Sequence, residues 1–236
     1  MDIEEYVRRG FRQGVPEKTL CKALADQILV FKPDEEQEYA GRFAQAVISE
    51  VRNSTGFSGD YLTFHRSGVS MGSFGVGSRG TGDFFAHRQI ARVIGKTGAE
   101  VGVDEMDDGG VVKLPGAAQG RYVVCTVDGM HSRLSDFPFL AGFHATRATL
   151  RDAYVMGARP LMLFSDIHIA DDGDVAKIFE YTAGITTVGE MMGVPLVSGS
   201  TLRIGGDMVL GERLTGCVGT AGIAEHLTPR RGAAPG

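Results

Sequence analysis

Acidic side chains follow apolar runs at several points of this sequence. Asp107 and Asp108 come after one such run and precede two glycines, and Asp128 ends the run RYVVCTV directly before Gly129. A fourth acid, Asp152, lies within a helical pattern. Carboxylate oxygens are the ligands that Mg²⁺ prefers, and neighbouring glycines let a ligand approach the backbone closely. This pattern suits Mg²⁺ bound against phosphate groups, although Asp before Gly is equally typical of turns.

A second pattern is glycine-rich and covers residues 67–82, SGVSMGSFGVGSRGTG. Glycine at almost every second or third position is incompatible with a packed helix or an ordinary strand, which predicts a loop. Backbone N–H groups of such a loop can surround a phosphate, and an arginine within it can clamp one. The candidate phosphate-binding residues are Gly75, Gly77, Arg79 and Gly80. Two interpretations of this stretch are retained, a mobile loop and a lid over the phosphates. A dinucleotide-binding unit is disfavoured, because it requires a strand directly before the motif and none is predicted there.

The sequence lacks the patterns of several other metal sites. Its three cysteines are widely spaced without a CxxC pair, which argues against a thiolate zinc site and suits a reducing compartment. The zinc-peptidase motif HExxH does not occur. His131, three residues after Asp128, is the histidine with the most suggestive position, but a solvent-facing loop imidazole is the plainer interpretation.

Composition places the chain among ordinary globular proteins, with 43% hydrophobic residues, 22% charged residues and a net charge of −5. A mild acidic balance without a basic block argues against nucleic acid as a partner. The first residues lack the apolar core of a signal peptide, and no stretch approaches the ~20 apolar residues of a membrane span. We therefore expect a soluble, cytoplasmic protein with neither a nucleic-acid nor a membrane partner.

The elements that would position the acidic residues change in kind along the chain. Apolar residues at helical spacing predict a helix that opens at residues 16–18, with Pro16 in its first turn, and runs to about residue 31. The run PDEE predicts a second helix start. Asp83 is predicted to cap a helix over residues 84–94. Beyond residue 99, the predicted helices are 140–156 and one that Asp172 or Asp174 caps and that ends near 192. The predicted strands are 99–103, 111–114, 121–127, 159–169, 195–198 and 216–223.

This order of elements predicts an α+β fold, with an α/β-like mixed sheet packed with helices. We expect four segments along the chain. They are a helical N-terminal extension over residues 1–55, a Gly-rich loop and helix over 56–98, the sheet domain over 99–226, and a polar, linker-like tail over 227–236.

From about residue 99 onward, four segments in order resemble the aminoimidazole ribonucleotide synthetase-like (PurM-like) superfamily. VDEMDDGG at 103–110 resembles its acidic Gly-Asp-Asp segment, and CTVDG at 125–129 its Thr-Thr-Asp-Gly strand end. LRDAYVMGARP at 150–160 resembles its Asn-Asp-Leu-Ala helix, and GVPLVSGST at 193–201 its Gly-Gly-Asp-Thr segment. The stretch LFSDIHIADDGDVAKIFEYTAGI is similar to the AIR synthase-related proteins of methanogenic archaea. The sheet domain thus resembles the superfamily's N-terminal, ATP-binding domain.

The resemblance implies an enzyme domain that uses ATP and Mg²⁺ to transfer a phosphoryl group to an unidentified acceptor, a small molecule or a protein. The implied magnesium ligands are Asp107, Asp108, Asp128 and Asp152. The residues implied at the nucleotide are Gly129, Arg151, Ser200 and Thr201. It also implies that the Gly-rich stretch covers the phosphates, that two copies form a homodimer, and that residues 227–236 lead toward a second domain that this sequence lacks.

Two positions depart from the superfamily pattern. Arg151 stands where asparagine is usual, and Ser200 stands where aspartate is usual, which makes the predicted site more positive. These departures and the helices of residues 1–55 favour an alternative: a nucleotide-binding assembly or maturation factor that has lost turnover. Its helices would dock a protein partner, although packing against the sheet is the plainer interpretation. A sensor of phosphorylated metabolites is a third alternative.

Overall fold

The structure is a computed structural model that describes residues 1–59, 61–62, 67–68, 70, 80–116, 121–204 and 209–232. It divides into two compact units. The first unit combines residues 1–65, 168–175 and 201–214, and the second combines residues 66–167, 176–200 and 215–236. In the described ranges, no helix is both long enough and apolar enough to cross a lipid bilayer.

The first unit is built on three helices, α1 (Ile3–Arg12), α2 (Glu17–Phe31) and α3 (Gln37–Asn53). The Asp2 side chain accepts the Glu5 N–H and caps α1, which carries acids in its first turn and arginines in its last, as the helix dipole favours. Helix α2 lies within one residue of its predicted bounds, although Pro16 is its N-cap rather than part of its first turn. The helices share a buried core that consists of Ile3, Val7, Leu20, Leu24, Ala25, Ile28, Ala40, Ala44, Val47, Ile48, Val51 and Leu210.

A largely buried ion cluster follows α2 in the same unit. Lys32 Nζ lies 2.7 Å from Asp171 Oδ2 and 2.5 Å from Asp172 Oδ1, and the three side chains are 13% to 18% exposed. Asp171 also binds Arg203 at 2.6 Å, and Asp172 accepts the Gly211 N–H at 2.8 Å. Burial lowers the pKa of Lys32, but the two carboxylates outweigh burial and raise this pKa above its ordinary value. Asp172, a predicted helix cap, is instead a partner of Lys32.

Five strands form one mixed sheet in the order β1-β2-β5-β3-β4. They are β1 (Gly110–Lys113), β2 (Tyr122–Gly129), β3 (Arg159–Ile169), β4 (Leu196–Arg203) and β5 (Leu214–Ala224). β2 is antiparallel to both of its neighbours. The hydrogen bonds from Leu163 N to Pro195 O and from Ile204 N to Ile169 O advance in the same direction, so β3 and β4 are parallel. The predicted α+β class, with a mixed sheet and packed helices, is confirmed.

Among the described residues of the second unit there are three further helices, namely α4 (Thr81–Ile94), α5 (Pro138–Val155) and α6 (Ala176–Met192). α6 connects the parallel strands β3 and β4. Ala153 and Met156, at the end of α5, are buried in one core with Val111 of β1 and Val124 of β2. This packing fixes the end of α5 against the first two strands of the sheet.

α5 and α6 meet backbone to backbone through two buried glycines. A Cβ atom on Gly142 would collide with the carbonyl oxygen of Tyr181, and one on Gly184 would collide with that of Phe139. Because the groups in the way are backbone rather than flexible side chains, only glycine allows the helices to approach this closely.

Several local predictions differ from the structure. The run PDEE does not start a helix, because residues 33–35 form a turn and a bend and α3 begins at Gln37. α4 begins at Thr81 with Gly80 at its N-cap, so Asp83 lies in the first turn and does not cap the helix. Residues 99–103 do not form a strand, because Val101 makes only an isolated bridge and a 3₁₀ turn begins at Val103. Helix α1 is missing from the sequence predictions, although Ile3, Val7 and Gly10 recur at helical spacing and are buried.

We expect Gly184→Ala to destabilise the protein by roughly 1–3 kcal/mol, since the added methyl group overpacks the contact between α5 and α6. Urea denaturation measures the free energy of unfolding. The matched control is Gly41→Ala within α3, where a Cβ would meet no atom within 4 Å. This control is expected to be neutral or slightly stabilising, and equal effects of the two substitutions would contradict the close contact.

Lys32→Met is expected to lower the free energy of unfolding by on the order of 2 kcal/mol or more, because it leaves two largely buried carboxylates without their shared cation. Arg9→Met is the control, since Arg9 pairs with Glu5 at the surface and is 70% exposed. The control is expected to cost under about 1 kcal/mol. Similar losses in both variants, measured by urea denaturation, would rule out a special role for the Lys32 cluster.

Candidate functional site

Asp107 is the most deeply buried carboxylate of the acidic segment, with a side chain 3% exposed. Its Oδ1 accepts the Asp108 N–H at 2.9 Å, and its Oδ2 accepts the Arg230 N–H at 2.7 Å. Met106, at φ 52°, adopts the left-handed conformation that turns the chain just before it. Asp107 therefore holds the backbone of the segment, whereas the neighbouring Asp108 side chain is 46% exposed and open to a ligand.

A cleft of about 980 Å³ opens beside this segment in the second unit. Asp107, Asp108 and Asp128 all line it, together with Gly129 at the end of β2. Its other described lining residues come from α4, from the acidic segment, from β2 and from the end of the chain: Asp83, Phe84, His87, Ile90, Gly102, Val103, Met106, Gly109, Gly110, Cys125, Thr126, Val127 and Arg230. Three of the four predicted carboxylates thus share one cavity.

A buried hydrogen bond sets β2 and α5 in register next to the cleft. Thr126 Oγ1 lies 2.7 Å from both the carbonyl and the hydroxyl oxygen of Thr149, and both threonines are buried. Asp128 follows Thr126 by two residues, and Arg151 follows Thr149 by two. The hydrogen bond therefore holds the end of β2 beside the part of α5 that carries Arg151.

Arg151 and Asp152 form an ion pair at the end of α5. The Nε and a terminal nitrogen of Arg151 lie 2.8 Å and 2.7 Å from Asp152 Oδ1. The hydrogen bond to Asp152 raises the pKa of Arg151, and the negative charges of Asp152, Asp128 and Asp108 raise it further. Arg151 therefore lies within electrostatic reach of three of the four predicted metal ligands, and it already occupies an oxygen of Asp152.

The remaining predicted residues fall in different places. Gly80 caps α4, and Ser200 is exposed on β4 and is not among the described residues that line the cleft. Thr201 is also exposed and belongs to the first unit. Gly75, Gly77 and Arg79 lie outside the described residues. His131 accepts the Arg133 N–H through Nδ1 at 3.2 Å, so its imidazole caps a turn.

Arg230 is a cleft residue that the sequence analysis assigns to a linker. Its guanidinium lies 3.3 Å from Asp108 Oδ1 and 4.0 Å from Asp107 Oδ1. The next residue, Arg231, binds Glu105 at 2.8 Å and Glu100 at 3.4 Å. The signal that could have revealed this pairing is the complementarity between the run TPRRG and the acid-rich residues 100–108.

The donors in the cleft suit a magnesium ion better than a softer metal, because they are carboxylate oxygens. Among the described residues, no three His, Cys, Asp or Glu side chains come close enough together to hold a metal ion by themselves. Mg²⁺ usually keeps several waters and takes further ligands from phosphate oxygens. The residues therefore fit a Mg²⁺ ion that is bound together with a phosphate ligand, and the assignment of Asp107, Asp108, Asp128 and Asp152 stays a prediction.

Comparison with known proteins gives one relative that matches nearly the whole chain and another that matches less than half of it. An uncharacterised protein of Methanocaldococcus jannaschii is 50% identical over 238 residues, which cover 97% of this chain and 52% of that protein. The selenide, water dikinase of Myxococcus xanthus is 33% identical over 105 residues, or 44% of this chain and 29% of that enzyme. The chain thus spans about half the length of the first relative and less of the second.

The fold also resembles a solved structure, that of AaThiL in complex with AMPPCP and TMP. The TM-score is 0.53 at 18% sequence identity, over 65% of this chain and 46% of that one, so the likeness concerns the fold. The family model described as AIR synthase related protein, N-terminal domain, matches residues 106–223, half of the 236 residues. With a match that runs from Met106 in the acidic segment to Ile223 in β5, the chain belongs to the AIR synthase related family through that family's N-terminal domain.

Proposed function

We propose that the second unit binds ATP together with Mg²⁺ and transfers a phosphoryl group to an acceptor. The observation that carries this proposal is the cleft at the end of β2, which Asp107, Asp108 and Asp128 all line. The family membership supports it, since the AaThiL structure was solved with AMPPCP and another relative is named a dikinase.

The charges of the cleft require a divalent cation if a polyphosphate is to bind. Its described lining includes four aspartates, against one arginine and one histidine: Asp83, Asp107, Asp108, Asp128, Arg230 and His87. A bare triphosphate would meet net negative charge here and be repelled. Asp108 and Asp128 are the carboxylates that would hold Mg²⁺, which when bound neutralises and orients the phosphates.

The protein's own contribution is positioning. Asp107 keeps the acidic segment in place through its two backbone hydrogen bonds. The Thr126 hydrogen bond keeps Asp128 near Arg151, whose guanidinium is 60% exposed and can reach a phosphate oxygen. Phosphoryl transfer needs little covalent chemistry from a protein beyond such positioning and charge stabilisation.

A second candidate function is nucleotide binding without turnover, as in an assembly or maturation factor. The ion pair between Arg151 and Asp152 favours it, because it engages one of the four predicted carboxylates. Formation of ADP from ATP, in the presence of a small-molecule cell extract as a pool of acceptors, separates the two candidates. ADP formation supports transfer, whereas ATP binding without ADP formation supports the second candidate.

We further propose that two copies of the chain associate through the sheet face opposite α5. In β2, Val124 and Thr126 are buried, while Cys125 and Val127 are exposed on the other face. Val127 pairs in register with Gly219 of β5, where a Cβ would collide with the ring of Phe164. Val127 and Phe164 are 64% and 37% exposed, which leaves an apolar strip suited to a second copy.

Asp128→Asn is expected to abolish or strongly weaken Mg-ATP binding, since an amide cannot neutralise the cation. Calorimetric titration of the wild type is expected to give micromolar affinity, or about −8 kcal/mol. Asp136→Asn is the control, because this carboxylate is 82% exposed and lies outside the cleft lining. Equal ATP affinity in all three proteins would refute the role of Asp128.

Val127→Glu is expected to convert a dimer into a monomer, because it places a charge in the apolar strip. Sedimentation at several protein concentrations measures the association. Phe179→Glu serves as the control, since Phe179 is 69% exposed on α6 and lies away from the strip. A wild-type protein that sediments as a monomer at every concentration would overturn the proposed association.

A further inference from the structure

The segment after β5 is anchored on both sides of Arg230. Before it, Thr228 Oγ1 donates to Val155 O at 2.5 Å, and Gly157, at φ 83°, leaves no room for a Cβ beside His226 O. After it, Arg231 donates to Glu105 Oε1 at 2.8 Å and to Glu100 O at 3.2 Å. Arg230 is therefore held at the cleft by its neighbours in the chain.

The backbone of Arg230, and not its guanidinium, completes this anchoring. Its N–H donates to the buried Asp107 Oδ2 at 2.7 Å. The side chain is 58% exposed and makes a single contact near hydrogen-bond length, at 3.3 Å to Asp108. For comparison, Arg151 approaches Asp152 with two nitrogens at 2.7 Å and 2.8 Å. The guanidinium of Arg230 is thus loosely engaged, and Arg230 lines the cleft.

From this geometry we infer that Arg230 is a phosphate-binding residue of the cleft; the inference rests on the proposed binding of a polyphosphate with Mg²⁺. A guanidinium carries five N–H donors in a planar fork that matches the oxygens of a phosphate group. When Asp108 binds the cation, Arg230 loses its carboxylate partner and donates to the phosphate instead. Asp108 and Arg230 thus exchange partners as the ligand enters.

This exchange of partners predicts that one substitution changes two binding affinities in opposite directions. In Arg230→Gln, Asp108 no longer has a competing cation, so a divalent metal alone binds more tightly. The same variant lacks the contact to phosphate, so a metal–polyphosphate complex binds more weakly. A residue with a purely structural role would instead lower both affinities together with the melting temperature.

The experiment uses the full chain as wild type, Arg230→Gln and the control Arg121→Gln, which changes an exposed arginine at the opposite end of β2. Electron paramagnetic resonance measures the binding of Mn²⁺ alone. Calorimetry measures the binding of inorganic tripolyphosphate and of ATP, each with Mg²⁺, and thermal unfolding reports on the fold. The expected result for Arg230→Gln is Mn²⁺ bound at least twofold more tightly and tripolyphosphate at least fivefold more weakly, with the control unchanged.

The two phosphate probes separate this inference from the proposed function. Wild-type binding of tripolyphosphate but not of ATP, with the loss in Arg230→Gln, supports the role of Arg230 and refutes the nucleotide. Equal tripolyphosphate affinity in wild type and Arg230→Gln overturns the role of Arg230 while ATP binding still stands. A wild type that binds neither probe overturns both.

Discussion

The concentration of negative charge at the end of β2 is the constraint around which the second unit is organised. Asp107, Asp108 and Asp128 line one cleft, and carboxylates confined in this way repel one another unless cations or N–H donors compensate them. The compensation comes from two remote parts of the chain. Arg151 approaches from α5, and Arg230 approaches from the segment after β5. The acids are thus stabilised by groups that only the complete fold of the unit brings near them.

That arrangement depends on close packing at positions without chemistry of their own. The hydrogen bond between Thr126 and Thr149 aligns β2 with α5, and the glycine contact between α5 and α6 sets how closely these two helices approach each other. A shift of β2 by one residue would turn Asp128 to the opposite face of the sheet. The geometry of the charged groups therefore depends on threonines and glycines that carry no charge themselves.

Local patterns predict the elements well, and distant contacts account for what they miss. Strand β3 has the predicted bounds, and helix α2 lies within one residue of its own, because their apolar spacing and the prolines at their starts are local signals. The family resemblance is also confirmed, since its motifs are contiguous and occur in order. By contrast, Arg230 contacts residues more than a hundred positions earlier, and the sequence signals this pairing only through the opposite charges of the run TPRRG and residues 100–108. Asp107 looks like its neighbour Asp108 in sequence, and only the structure separates the buried anchor from the exposed carboxylate.

The two units are interleaved along the chain, which passes from one to the other five times. Leu210 completes the core of the three N-terminal helices, and the partners of Lys32 come from residues 171 and 172. Cutting the gene after the third helix would therefore separate a hydrophobic core from one of its own side chains and a lysine from both of its counterions. Recombination could therefore not add or remove the N-terminal helices as a separate module. A substitution in these helices affects the same core and ion cluster as residues 168–175 and 201–214, which belong to the same unit.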